Sequence, residues 1–269
     1  MIQERATPRL YRLPRETGKT ACLLLVLAVM TAPGALGAGP AQPGPKDEQR
    51  YADCMTQARD KPQQGLKTAE LWQQHGGGAP AVHCLAIALM GVKRYDDAAM
   101  RLESLADLVP AQRRDLRVQA LGQAAQAWSA AGKADRALLV LNRALELRPG
   151  DGDLLLDRAV LHEGAGRLAE ATADFTTILA AAPDRDDVLL LRASTQRRLG
   201  RLDLARADVE RVIAINASNA DALLERGNIR FDQGDSAGAK DDWQRVQAAA
   251  PKSAAAKAAA ANLARLPKK

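Results

Sequence analysis

Four side chains in the first third of the chain are of the types that hold metal ions or form covalent links: Cys54, His75, His83 and Cys84. Thiolate sulfur and imidazole nitrogen are the usual zinc donors, and structural zinc sites place them at short, recurrent spacings. These four match no common zinc spacing, and an adjacent His83-Cys84 pair is awkward for ligands on a helix. A disulfide is the alternative use of two cysteines in an oxidising compartment. Other chemistry is thinly represented. His162 stands alone on an apolar helical face, where a core histidine is the ordinary reading. Asp186-Asp187 opens a helix, where carboxylates favour the dipole. Gly76-Gly77-Gly78 runs into Ala79-Pro80 as a break before a helix and lacks the context of a phosphate loop. No catalytic residue, metal site or cofactor site is expected.

The elements that position these residues repeat. Ala137, Ala171, Ala205 and Ala239 stand 34 residues apart, as do Gly132, Gly166, Gly200 and Gly234, and Ala125, Ala159, Ala193 and Gly227. The unit is clearest from Asp153 to Pro183. Leu155, Ala159 and His162, then Leu168, Ala171, Phe175 and Ile178, give two amphipathic helices. Gly166 stops the first, and Pro183 ends the second. A fixed period of this length signals stacked helical hairpins, none able to bury its apolar face alone.

The unit resembles the tetratricopeptide repeat (TPR), whose 34-residue pattern runs W-x2-L-G-x2-Y, A-x3-F, P. The second half is the better kept. It reads Ala171-x3-Phe175 with Pro183, Ala239-x3-Trp243 with Pro251, Ala137-x3-Leu141 with Pro149, Ala205-x3-Val209 with Ala217, and Ala98-x3-Leu102 with Pro110. The first copy is offset by a five-residue insertion around Arg113 to Arg117. In the first half, the aromatic survives only as Trp128, with His162, Gln196 and Arg230 in the matching places. The resemblance implies an all-α, right-handed superhelix, with five units at 79–112, 118–151, 152–185, 186–219 and 220–253. A degenerate helix pair over 49–78 caps one end and a helix with its tail over 254–269 caps the other. First helices of successive units are neighbours in such a stack, so a Cys54 to Cys84 disulfide is implied, closing a loop that stabilises by ~3 to 4 kcal/mol on the entropy model.

Residues 1–38 read as a secretory leader: Arg5, Arg9, Arg12, Arg15 and Lys19, an apolar run from Ala21 to Ala32, then Ala35-Leu36-Gly37 as a small-residue cleavage site. A periplasmic or secreted location is expected, with an uncleaved signal anchor as the alternative and no stable membrane insertion after cleavage. Residues 39–48, rich in Pro and Gly, read as a linker. The mature chain keeps 33 basic and 30 acidic residues, a net charge of +3. It lacks the basic stripe and stacking aromatics of a nucleic-acid binder.

Arg158, Arg192 and Arg226 each precede Asp174, Asp208 and Asp242 by 16 residues, joining the two helices of one unit. Upstream, Ala124 faces Val140 and Leu85 faces Arg101, so the charges change together. A structural bridge follows from that covariation. The resemblance also implies a concave groove lined by first helices, here Leu156, Leu190 and Leu224 in one row, Val160, Ser194 and Asn228 in the next, and Arg197, Arg198 and Phe231 beyond. It fits an extended peptide or helix of a protein partner. The expectation is a monomeric, non-catalytic adaptor, or alternatively an accessory subunit that positions an envelope enzyme or an export or assembly machine.

Overall fold

The structure, a computed structural model, describes residues 45–266. Thirteen helices and no strand occur among them. The chain divides into a segment of residues 1–49 and a compact unit of residues 50–269. The leader and most of the expected linker lie outside the described residues.

Helices α1 (Pro45–Asp60) and α2 (Pro62–Gln74) come first. Five hairpins follow: α3 (Gly78–Gly91) with α4 (Tyr95–Leu108), α5 (Arg114–Ala130) with α6 (Ala134–Leu147), α7 (Gly152–Gly164) with α8 (Leu168–Ala181), α9 (Asp186–Arg198) with α10 (Leu202–Ile215), and α11 (Ala220–Asp232) with α12 (Ser236–Ala249). Helix α13 (Ala254–Ala264) closes the stack against α11 and α12. One boundary differs from expectation: α1 starts at Pro45, inside the stretch read as linker. Proline is tolerated in a first helical turn because the N–H it lacks would be unpaired there, and Asp47 and Glu48 add charge that suits the dipole.

Small residues let the paired helices approach. Ala137, Ala171, Ala205 and Ala239 are fully buried, and Ala125, Ala159 and Ala193 are buried opposite them. At the fourth place in the latter row stands Gly227, where an added Cβ would lie 2.5 Å from Nε1 of Trp243. The bulk of Trp243, against Val209 and Phe175 in the preceding units, is the reason glycine replaces alanine there. The insertion of five residues lengthens α5 to 17 residues, about a turn longer than the other first helices.

Two local devices hold the ends and turns. Cys54 and Cys84 are disulfide-bonded, with Cα atoms 6.1 Å apart, and so tie α1 to α3. Between the helices of each hairpin one residue is left-handed: Gly132, Gly166, Gly200 and Gly234 at φ from +74° to +87°, and in the first hairpin Lys93 at +63°. Among the described residues, Lys93 alone carries a side chain in that conformation.

The bridge across the hairpin is bidentate. Arg158 donates from Nε and Nη2 to Asp174 at 2.9 and 2.7 Å, Arg192 to Asp208 at 2.8 and 2.7 Å, and Arg226 to Asp242 at 2.9 and 2.6 Å. In two of the forks the third nitrogen reaches further. Arg158 Nη1 donates to Asn142 and Arg192 Nη1 to Thr176, each on the second helix of the preceding unit. Arg226 is attracted to Glu210 at the matching place. One arginine thus joins its own hairpin and plugs the seam between consecutive second helices. The three carboxylates are buried, so removing a partner strands a charge rather than merely deleting a contact.

Two expectations follow from these devices. Gly166→Ala, where a new Cβ meets nothing within 4 Å, should cost about 1–2 kcal/mol through backbone strain alone, whereas Lys93→Gly should be neutral or stabilising by up to about 1 kcal/mol. An unchanged urea midpoint in Gly166→Ala would show that the turn tolerates a side chain. Arg192→Met should cost about 3–5 kcal/mol by leaving Asp208 buried and unpaired, and adding Asp208→Leu should recover much of it. Additive losses in the double-mutant cycle would mean the pair is uncoupled.

Candidate functional site

The candidate surface is the face carried by the first helices α3, α5, α7, α9 and α11, flanked by α1 and α13. Polar contacts lace neighbouring helices along it. At the α1 end, Tyr51 Oη lies 2.5 Å from His83 Nδ1, and His83 Nε2 lies 2.9 Å from Gln123 Oε1. With a glutamine oxygen as acceptor, the imidazole proton sits on Nε2 and Nδ1 accepts from the tyrosine. Burial holds the His83 pKa below its ordinary value, which keeps the neutral ring this arrangement needs. The rings of Tyr51 and His83 also stack, 5.9 Å between centroids.

Further along, Gln126 donates to Asp157 at 3.3 Å, and burial raises the pKa of that carboxyl group. Arg198 donates to Glu163 at 2.7 Å, and Arg197 donates to Glu225 at 2.7 Å and to Asp232 at 3.0 Å. Asn228 accepts from Asn262 of α13 at 2.9 Å and from Trp243 Nε1 at 3.2 Å, and donates to Glu225. Arg197, Asn228, Phe231, Asp232, Trp243, Asn262 and Arg265 surround an open depression of about 290 Å³.

These contacts change the expected groove. Leu156 is 6 % exposed and belongs to the core, and Leu190 and Leu224 are half-buried and packed against it. Of the three leucines, Leu156 lies in the core, and Leu190 and Leu224 lie at its edge with part of each side chain open. Arg197 and Arg198 pair with carboxylates on neighbouring first helices. Ser194 is half-buried, whereas Val160 on α7 and Phe231 on α11 remain open at 38 % and 43 % exposure. Phe231 also lies against the ring of Trp243, with centroids 5.8 Å apart.

The Tyr51, His83 and Gln123 network follows no motif, and the sequence reading misses it. Its signal lies in the register: allowing for the insertion, His83 and Gly122 fall in the column of Leu156, Leu190 and Leu224. The four residues with metal-binding types are otherwise occupied. The two sulfurs are bonded to each other, His83 has partners on both nitrogens, and His75 Nδ1 lies 2.6 Å from the Leu71 carbonyl oxygen. Among the described residues no group of three or more His, Cys, Asp and Glu side chains could hold a metal ion.

Two family models, both described as tetratricopeptide repeat, match residues 125–196 and 190–254. No curated protein matches the sequence. Among solved structures, a tetratricopeptide repeat protein from Parabacteroides merdae ATCC 43184 is similar at 17 % identity and TM-score 0.59, covering 79 % of this chain and 72 % of that one. PilW, described as a widely conserved type IV pilus biogenesis factor, is similar at 17 % identity and TM-score 0.60, covering 80 % of this chain and 98 % of that one. MamA from Desulfovibrio magneticus RS-1 is similar at 15 % identity and TM-score 0.58, covering 65 % of this chain and 97 % of that one. At such identities the likeness establishes the fold. Residues 125–254 therefore carry tetratricopeptide repeats, and the six helix pairs with the closing α13 share the fold of tetratricopeptide-repeat structures.

Proposed function

We propose that this chain is a non-catalytic scaffold, exported from the cytoplasm, that takes a protein or peptide partner along the face of its first helices. The observation that carries this reading is the exposure of Val160 and Phe231 on a face whose other side chains are largely paired with one another. Apolar anchors held among satisfied polar groups are already ordered, so a partner that covers them loses little entropy at the interface. The repeat family itself favours a protein ligand. The second reading, an accessory subunit that positions an envelope enzyme or assembly machine, uses the same face. Pilus biogenesis, the role described for PilW, is an instance of it, but 17 % identity supports a shared scaffold and not a shared partner.

The leader-like sequence of residues 1–38 supports export, and among the described residues no helix is long and apolar enough to cross a membrane. The mature N-terminus is expected at Ala38 or Gly39, and an envelope-localised protein whose intact mass retains Met1 would refute cleavage. For the binding face, a photo-crosslinking amino acid at position 160 or 231 should give a discrete adduct in cells. The same probe at Leu204 or Ile215, exposed on α10, should not. Phe231→Asp should weaken capture by about 2 kcal/mol or more if the ring is an anchor. Adducts confined to positions 204 and 215 would move the partner to the second helices.

A further inference from the structure

Charge is divided unevenly between the two helix rows. The chain as a whole is net positive, at +6. Its last three first helices are not: α7 carries Asp153, Asp157 and Glu163, α9 carries Asp186 and Asp187, and α11 carries Asp221, Glu225 and Asp232. Of the six arginines on these helices, Arg158, Arg192, Arg226 and Arg230 turn to the buried carboxylates of the second helices. Two remain, Arg197 and Arg198, joined by Arg185 at the cap of α9.

Three guanidinium groups do not balance eight carboxylates. Arg198 pairs with Glu163, Arg185 with Asp187, and Arg197 with both Glu225 and Asp232. Asp153, Asp157, Asp186 and Asp221 enter no ion pair among the described residues. An excess of five negative charges is therefore left on α7, α9 and α11. Basic residues bound this stretch, with Arg113, Arg114 and Arg117 at the start of α5 and Arg265 after α13.

Three of the unpaired carboxylates lie in first helical turns, where they also favour the helix dipole. Asp157 has no such use. It stands a turn further along α7, half-buried and accepting from Gln126 at 3.3 Å. Burial and the charges of Asp153 and Asp151 raise its pKa, as expected of a carboxylate short of positive charge. Asp153, Asp157 and Val160 are spaced i, i+4 and i+7 and so share one stripe of α7. At 38 % exposure, Val160 puts an open apolar contact beside that carboxylate. The same registers read Asp187, Leu191 and Ser194 on α9, and Asp221, Glu225 and Asn228 on α11.

We propose that the segment taken by the first-helix face is basic: an apolar side chain covers Val160, and a lysine or arginine two residues away pairs with Asp157 and Asp153. The inference rests on the reading of that face given above and adds the chemistry of its ligand. Alternate side chains of an extended segment point the same way, about 7 Å apart, which spans the turn between Val160 and Asp157. A cation at this point offsets the repulsion among Asp151, Asp153 and Asp157. Further basic side chains meet the excess charge on α9 and α11, whereas an acidic segment meets like charge at each unit it crosses.

Binding is read by fluorescence anisotropy of the full mature chain with two labelled hexapeptide pools, one with central Leu-Ser-Lys and one with central Leu-Ser-Glu. The Leu-Ser-Lys pool should bind about tenfold tighter, and its affinity should fall as salt is raised. Asp153→Asn with Asp157→Asn should remove most of that preference. Asp157→Asn alone, which spares the first turn of α7, should reduce it at an unchanged melting temperature. Glu146→Gln makes the same charge change on the exposed side of α6 and should leave the preference intact. Equal binding of the pools, preference for Leu-Ser-Glu, no binding at millimolar protein, or full preference in the folded Asp153→Asn, Asp157→Asn chain would each overturn the proposal. An adduct at position 160 in cells together with equal binding of the pools would keep the face and refute its basic ligand, whereas adducts confined to positions 204 and 215 would remove both.

Discussion

A hairpin of two helices, each of 13 or 14 residues in the last three units, presents more apolar surface than its own partner helix can cover, and everything else in this chain answers to that shortage. Phe175, Leu141 and Val209 are fully buried only because each hairpin is roofed by the next. Stability in such an array comes from within each unit and from each interface, and its ends are the places where an interface is missing. The two ends meet that need differently. At one, a disulfide between Cys54 and Cys84 ties the cap helix to the first full hairpin, and at the other Ala255, Ala256 and Ala259 of α13 are buried against α12 and α11. Alanine there gives a strong helix former and a close approach together.

The arginine column adds polar specificity to this apolar stacking. A buried carboxylate contributes little net stability when paired, because desolvating both charges offsets much of their attraction. Its effect is on geometry. An arginine fork bidentate to Asp208 with a third nitrogen on Thr176 is satisfied only when α9, α10 and α8 sit at one register. The column therefore sets how successive second helices meet in the last three units. The first-helix face obeys the same logic with different residues. Ion pairs and amide contacts run between neighbouring first helices, leaving only a few apolar side chains open to a partner.

Periodicity makes the fold legible in the sequence. Glycine and alanine at a step of 34 report turns and close helix contacts, since only small or left-handed-tolerant residues satisfy those positions, and the covariation of arginine with aspartate points to a contact across the hairpin. The start of α1 is hidden because proline and glycine in Gly39 to Asp47 read as a break, whereas Pro45 opens a helix. What the sequence could not determine alone was which side of a helical row faces solvent. Leu156, Leu190 and Leu224 form an apolar line in either case, and only the packing of neighbouring hairpins decides that Leu156 is buried, Leu190 and Leu224 half-buried, and Val160 and Phe231 open. Arg197 and Arg198 read as groove residues with no visible partner because Glu225, Asp232 and Glu163 lie 28 to 35 residues away on other helices. The step of 34 specified the hairpin and its neighbours. The rotation of each helix within the stack, and with it the distinction between core, seam and surface, is a property of contacts between units, and only the tertiary structure decided it.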